Sequence, residues 1–162
     1  MLEFNVGDKA VYPAHGVAQI TAIENKSIGG KNIKCYVLKI MHNGMIIMVP
    51  SCNVEKVGMR GVVKDKDVRK VFKILRNRDI EIDNQNWNRR YREYMEKIKS
   101  GSLLEIAEVM RDLLILKDDK ELSFSERRML DNARELLVKE ISIAKDRSED
   151  KVEKEFDSIF NC

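Results

Sequence analysis

The sequence predicts an α+β protein of two domains: an antiparallel β-barrel of the SH3 or Tudor shape, followed by an all-α bundle of about five helices. Two observations lead to this prediction. Residues 1–58 contain short apolar runs separated by turn residues, without a helical period. From residue 65 onward, apolar residues recur every three or four positions, as in amphipathic helices. We therefore assign residues 1–58 to the barrel, 59–64 to a linker and 65–162 to the bundle.

The first domain contains four predicted strands, which are Ala10–Tyr12, Val17–Ile23, Ile33–Ile40 and Met45–Val49. Residues 25–30 are predicted to form a loop in which Gly29-Gly30 makes a hairpin turn. Asn43-Gly44 is a strong hairpin signal because both residues tolerate positive φ. A sheet of this size has an edge to which a partner's strand could add.

The second domain contains two capping-box sequences, Ser102–Glu105 and Ser123–Glu126, each followed by a long apolar helical face. The second helix is predicted to begin after an Asn86 N-cap. Its predicted apolar stripe consists of Trp87, Tyr91, Tyr94 and Ile98. The last three are expected to pack in the bundle, while the position of Trp87 in the first turn leaves it partly exposed.

Charge is distributed unevenly along the chain. The net charge is +3 overall, but residues 58–101 alone carry thirteen Lys and Arg against seven Asp and Glu. This middle segment is therefore the part most attractive to a polyanion. It also contains the only tryptophan, so aromatic surface and positive charge coincide there, which indicates nucleic acid.

Other site chemistry has little support in the sequence. Cys35, Cys52 and Cys162 have unrelated spacings, which indicates neither a disulfide framework nor a zinc site. His15 and His42 lie in predicted turns without a paired nucleophile, and Gly-rich phosphate loops are absent. We expect no cofactor and no enzymatic activity. The chain also lacks an apolar run long enough for a membrane span and a signal pattern at its start, so we expect a cytoplasmic protein.

Three arginines, Arg89, Arg90 and Arg92, lie within one stretch of four residues shortly after Trp87. Cations at a helix N-terminus oppose the helix dipole, so another interaction should favour them, and a DNA phosphate would. Arg127 and Arg128 also lie early in a helix, where a solvated face beside Glu126 is an equally good explanation. For Trp87 itself, packing in the core remains a serious alternative to exposure.

Six motifs follow one another along nearly the whole chain: VGDKAVYPAHGV, IENKSIGG, MVPSCNVEKVGMR, NWNRRYREYMEKIKSG, AEVMRDLL and ERRMLDNARELL. In this order and with these gaps they resemble the CarD/CdnL family of bacterial transcription regulators. The resemblance implies a Tudor-like module, related to the polymerase interaction domain of the transcription-repair coupling factor, that docks on the lobe of the RNA polymerase β subunit. It also implies a helical module that contacts promoter DNA at the upstream edge of the melted bubble.

The resemblance also assigns individual residues. Trp87 matches the family tryptophan at the bubble edge, and the neighbouring basic DNA contacts fall on Arg89 and Arg92. Arg127 matches a further basic position in the long helix. On the polymerase side, the matching positions are Lys26, beside Ile28, and Met48, which replaces a family arginine. This replacement removes a cation that would meet acidic groups on the lobe.

We therefore expect a monomeric protein that binds polymerase and promoter DNA with little sequence dependence, and that stabilises the open complex with Trp87 as a wedge. Through polymerase it would associate with the nucleoid. The alternative is a protein-interaction barrel with a helical bundle that makes no direct DNA contact. An RNA-binding barrel has less support, because the barrel region is only mildly basic and has few aromatic residues.

Overall fold

The computed structural model of the chain describes residues 3–82 and 87–160. The chain divides between Val62 and Val63 into two compact units. The first unit holds an antiparallel sheet and the second holds five helices, which confirms the predicted α+β organisation. The predicted N-cap Asn86 lies outside the described residues.

The first unit is built on one five-stranded antiparallel sheet with the spatial order β4-β3-β2-β1-β5. The strands are β1 (Lys9–Tyr12), β2 (Gly16–Ile28), β3 (Lys31–Ile40), β4 (Ile46–Pro50) and β5 (Arg60–Gly61). The two residues of β5 pair with Val11 and Ala10 of β1. They fall within the segment that the sequence analysis assigned to a linker.

Strand β2 is longer than the sequence predicted, because residues 25–28 continue it instead of forming a loop. These residues are exposed, and a strand that is solvated on both faces needs no apolar alternation. The prediction of a hairpin turn at Gly29-Gly30 is confirmed, since both glycines have positive φ and β3 begins directly after them. The hairpin between β3 and β4 is confirmed as well, but its loop is residues 41–45, and of the Asn43-Gly44 pair only Gly44 has positive φ, at 73°.

The core of the first unit lies on one side of this sheet. Alternate residues of β3, namely Tyr36, Leu38 and Ile40, are buried in it together with Ile20 of β2. The register between β2 and β3 shifts near Ile20, which marks a β-bulge and a local bend of the strand. The Tyr36 hydroxyl accepts a hydrogen bond from the Phe4 backbone N–H at 3.3 Å, which ties the N-terminal segment to the sheet.

The helices of the second unit are α1 (Asp65–Arg76), α2 (Trp87–Lys99), α3 (Leu103–Asp119), α4 (Phe124–Lys145) and α5 (Glu149–Phe160). The Ser102 hydroxyl caps α3 by accepting from the Glu105 N–H at 3.4 Å. At α4 both halves of the predicted capping box are present between Ser123 and Glu126. Side-chain acceptors therefore fix the starts of both long helices.

The helices enclose a single apolar core to which all five contribute, with Met110 and Leu113 of α3, Leu137 of α4 and Phe156 of α5 among the fully buried side chains. Polar contacts join the helices around it. Helix α2 is tied to α3 by the Tyr94 hydroxyl, which donates to Asp112 at 3.4 Å. Burial and the neighbouring Asp112 raise the pKa of Tyr94 to about 12, so this hydroxyl stays protonated as a donor.

The substitution Gly58→Ala is expected to destabilise the first unit by about 1–2 kcal/mol. Gly58 has φ 78°, which disfavours any L side chain, and an added Cβ would lie 3.3 Å from Cγ of Pro13. The matched control is Gly61→Ala in β5, where nothing lies within 4 Å of the added Cβ and φ is not positive. Denaturant unfolding of the full chain measures both variants, and equal losses would contradict this account.

Candidate functional site

Trp87 begins α2 and lies at the margin of the helical core. Its ring centroid is 5.7 Å from that of Tyr91, at an interplanar angle of 71°, and 6.3 Å from that of Tyr94. The side chain packs against the core and is half-buried. Neighbouring rings thus hold the indole while part of it stays accessible to solvent.

The prediction that Tyr91 packs in the bundle is wrong, because this residue is 40% exposed. The buried residues of α2 are Arg90, Tyr94 and Ile98, spaced four apart. Trp87 and Tyr91 lie on the adjacent line of the helix. The apolar period of a sequence identifies the side of a helix that contains both rows of residues. It does not say which of the two rows packs against the neighbouring helices.

Arg90 is the charged member of the buried line. Its guanidinium carbon lies 5.2 Å from the centroid of the Trp87 ring, and its Nη1 lies 3.8 Å from Oε2 of Glu126. A guanidinium can stack on an indole and meet a carboxylate at the same time. Sequence analysis grouped Arg90 with the DNA-contacting arginines, but at 9% exposure it faces the interior of the unit and contacts the indole from there.

Glu126 is 2% exposed and holds the other end of this contact. Its Oε1 accepts from the Ser123 backbone N–H at 3.0 Å and from Nζ of Lys120 at 3.1 Å. Burial acts to raise the pKa of the Glu126 carboxyl, but the hydrogen bonds from Ser123 and Lys120 outweigh it and lower the pKa below its ordinary value. The carboxylate is therefore charged at neutral pH and pairs with Arg90.

The contact between Arg90 and Glu126 brings the starts of α2 and α4 together at one end of the second unit. Arg89 is exposed and lies 4.0 Å from Glu93 across one turn of α2, and Arg92 is also exposed. Arg127 and Arg128 follow Glu126 directly and are exposed as well. Four of the predicted arginines therefore present their charge to solvent in the first two turns of α2 and α4, where they can meet a phosphate backbone.

Sequence analysis missed Phe124, the first residue of α4. It is 70% exposed, and the guanidinium of Arg128 lies 5.8 Å from its ring centroid. The available signal was its place between the two serines of the capping sequence, at a helix start where a large apolar side chain has no neighbouring turn to cover it. A second exposed aromatic therefore lies at the same helix start as Arg127 and Arg128.

In the first unit, the three residues predicted to contact polymerase share one face of the sheet. Lys26 and Ile28 alternate along β2, and Lys26 pairs with Ile33 of β3. Met48 of β4 pairs with Val37, which lies four residues after Ile33 on β3. Side chains two or four residues apart on a strand point to the same side, so all three lie on the face opposite Tyr36 and Leu38. We call this the outer face.

The outer face is mostly apolar, with Lys26, Lys31, Lys39 and Glu24 among the apolar side chains. Ile28 is 53% exposed and Met48 is 40% exposed. Ile46, which pairs with Lys39, also belongs to this face and is 60% exposed, although the sequence analysis did not single it out. Strand β4 ends the sheet, so within residues 3–82 and 87–160 its second edge pairs with no strand. An apolar face thus borders an open edge, which suits strand addition by a partner.

Within the described part of the chain, His, Cys, Asp and Glu form no group of three or more that could hold a metal ion. Over the same residues, none of the helices has the length and apolar character needed to cross a membrane.

Two protein-family models match the chain. The model of the CarD-like/TRCF RID domain matches residues 4–63, and the model of the CarD C-terminal domain matches residues 70–157. Among curated proteins, the "Putative transcription factor YdeB" of Bacillus subtilis (strain 168) is 34% identical over 149 residues. That alignment covers 92% of this chain and 97% of the Bacillus protein.

Two solved structures are also similar to part of the chain. CdnLNt from Myxococcus xanthus is 42% identical and the match covers 40% of this chain and 92% of that chain, with a TM-score of 0.34. The solution NMR structure of the 72-residue N-terminal domain of Myxococcus xanthus CarD is 33% identical. That match covers 38% of this chain and 81% of the other, with a TM-score of 0.33.

The substitution Glu126→Gln is expected to lower the free energy of unfolding at neutral pH by about 2 kcal/mol, because it removes the charged partner of Arg90 and Lys120. It should also flatten the loss of stability in acid. In the wild type, the lowered pKa means that this carboxylate stabilises the fold fully above its ordinary value of 4.5. That contribution is lost as the pH falls from there through the folded-state pKa.

Thermal and denaturant unfolding between neutral and acidic pH measures the effect, with Glu96→Gln on the exposed side of α2 as the control. A Glu126→Gln variant with the same pH profile as the wild type would contradict the assigned pairing.

Proposed function

The chain belongs to the CarD family of transcription regulators, which interact with RNA polymerase, and we propose that it stabilises the open promoter complex with Trp87 as a wedge. In this proposal, the outer face of the sheet binds the lobe of the polymerase β subunit. The helical unit contacts promoter DNA at the upstream edge of the melted bubble. Such a protein acts as a monomer in the bacterial cytoplasm and is associated with the nucleoid through polymerase.

The observation that carries the proposal is the environment of Trp87. Its indole is half-buried, is contacted by Arg90 and Tyr91, and has exposed Arg89 and Arg92 on the same helix. An aromatic wedge against a base step must resist being pushed aside, and the contacts with Arg90 and Tyr91 supply that support. The exposed arginines of the same helix can neutralise phosphates of the bound DNA.

The proposed DNA contact needs no base-specific hydrogen bonds. The exposed cations Arg89, Arg92, Arg127 and Arg128 are suited to phosphates, which are the same in every sequence. Arg90 has a different part in the proposal, since it positions the indole and does not reach the DNA. Binding to free duplex would therefore be weak and salt-dependent, and recruitment through the sheet would raise the local concentration at promoters.

The proposed polymerase contact combines Ile28, Met48 and Lys26 on the outer face. Because Met48 stands where the family resemblance leads us to expect an arginine, this contact would depend more on apolar burial and less on ion pairing. Ile46 extends the same apolar area beside the open edge of β4. A polymerase strand added to that edge would bring its side chains against these residues.

A second candidate function is a protein-interaction module without direct DNA contact. It is favoured by the packing of Trp87 against the helical core, which gives the indole a structural role of its own. The two candidates differ in what removal of the indole does to the promoter complex when the fold is kept.

The substitution Trp87→Ala is expected to shorten the lifetime of a heparin-challenged open complex by about tenfold, because the stacking contact against the separated base step is lost. Trp87→Phe keeps an aromatic ring and should retain part of the effect. Thermal denaturation of both variants shows whether the unit is still folded. An unchanged lifetime with folded Trp87→Ala protein would reject the wedge and favour the second candidate.

The substitution Ile28→Glu is expected to weaken binding of the full chain to the polymerase β lobe by tenfold or more, because a carboxylate would have to be desolvated where the partner now covers an apolar side chain. The matched control is Val6→Glu, which places the same charge at a residue that is 61% exposed and precedes β1. Titration of labelled protein with purified β lobe measures both. Binding that survives Ile28→Glu, or is lost equally in both variants, would place the contact elsewhere.

A further inference from the structure

A groove of about 810 Å³ lies between α2 and α4, and of the residues that line it the proposed wedge and phosphate contacts use only Tyr91 and Arg128. Tyr91 and Met95 line it from α2, while Phe124, Arg128 and Asn132 are among the residues that line it from α4. The groove is open to solvent and large enough for one nucleotide.

The groove continues from the candidate DNA interface. Tyr91 lines it and its ring is also in edge contact with the Trp87 indole, so a strand that passes the indole meets the groove next. Tyr91 and Phe124 are the two large apolar side chains of α2 and α4 that remain strongly exposed, at 40% and 70%. Two exposed aromatic rings beside one groove form a surface on which a flat, partly apolar ligand can stack.

The polar side chains of the groove suit a nucleobase and its phosphate. Arg128 lies over the Phe124 ring at the start of α4, where it can meet a phosphate while the base stacks on the ring. Further along α4, Asp131 and Asn132 offer hydrogen-bond acceptors and a donor of the kind that base edges require. The carboxylates of Asp131 and Glu135, which also lines the groove, repel a phosphate but can accept from a base amine, so the base enters the groove and the phosphate stays at Arg128.

We propose that this groove binds one unpaired nucleotide of the strand that is separated next to Trp87. The base stacks on Phe124 and Tyr91, Arg128 meets its phosphate, and Asn132 with Asp131 contacts the base edge. This inference rests on the proposed function, since it requires that Trp87 contacts DNA at the boundary between paired and unpaired bases. In that arrangement the groove binds the unpaired base, while Trp87 packs against the adjacent base step.

The test uses the full chain and two DNA probes at low salt: a fork with a short unpaired tail that carries 2-aminopurine, and the same duplex without the tail. Wild-type protein should bind the fork more tightly than the duplex and should change the 2-aminopurine fluorescence. Phe124→Ala should weaken fork binding by about tenfold, abolish the fluorescence change and leave duplex binding as it was. Phe124→Tyr keeps a stacking ring and should restore both signals.

The controls separate this inference from the proposed function. Arg128→Ala should reduce fork binding, whereas Lys154→Ala, which removes one exposed charge from α5, should not. If Phe124→Ala binds the fork like the wild type while Trp87→Ala still shortens the open-complex lifetime, the groove proposal is overturned and the wedge stands. If Phe124→Ala instead weakens polymerase binding without DNA, the groove holds a protein segment and the proposal is likewise overturned.

Discussion

The buried contact between Arg90 and Glu126 is the interaction on which the candidate DNA interface depends. A carboxylate that is 2% exposed is tolerated because its Oε1 accepts from the Ser123 N–H and from Nζ of Lys120, while Arg90 places a positive charge 3.8 Å from its Oε2. The ion pair with Arg90 also holds the first turn of α4 against the first turn of α2. The indole of Trp87 contacts the guanidinium of Arg90. Its position therefore depends on the buried charge of Glu126, which holds Arg90 in place.

The two units present different physical surfaces. The outer face of the sheet is apolar with separated lysines, and it borders a strand edge that could pair with another backbone. The end of the helical unit carries exposed arginines and aromatic rings, which suits a polyanion with flat bases. The surface suited to a protein partner and the surface suited to a nucleic acid therefore belong to separate units of the chain.

Much of this architecture could be predicted from the sequence, because turns, capping boxes and apolar periods are local signals. The hairpin at Gly29-Gly30 and the capping box at Ser123 are examples. The orientation of α2 could not be predicted, since Tyr91 and Arg90 are neighbours and only the packing of α2 against the other helices decides which of them is buried. The apolar period of α2 also gives no reason why Arg90 should be buried and Tyr91 exposed. That reason is Glu126, thirty-six residues away in the chain.

The lysines of the outer face have a consequence for contacts between copies of the protein. An apolar sheet face beside an unpaired edge is also a template for self-pairing, which leads to aggregation. Lys26, Lys31 and Lys39 lie on this face through their register with neighbouring strands. Two copies approaching face to face would bring like charges together, whereas an acidic partner would neutralise them. The same side chains that leave the face open to a partner of opposite charge therefore oppose the pairing of two copies through this face.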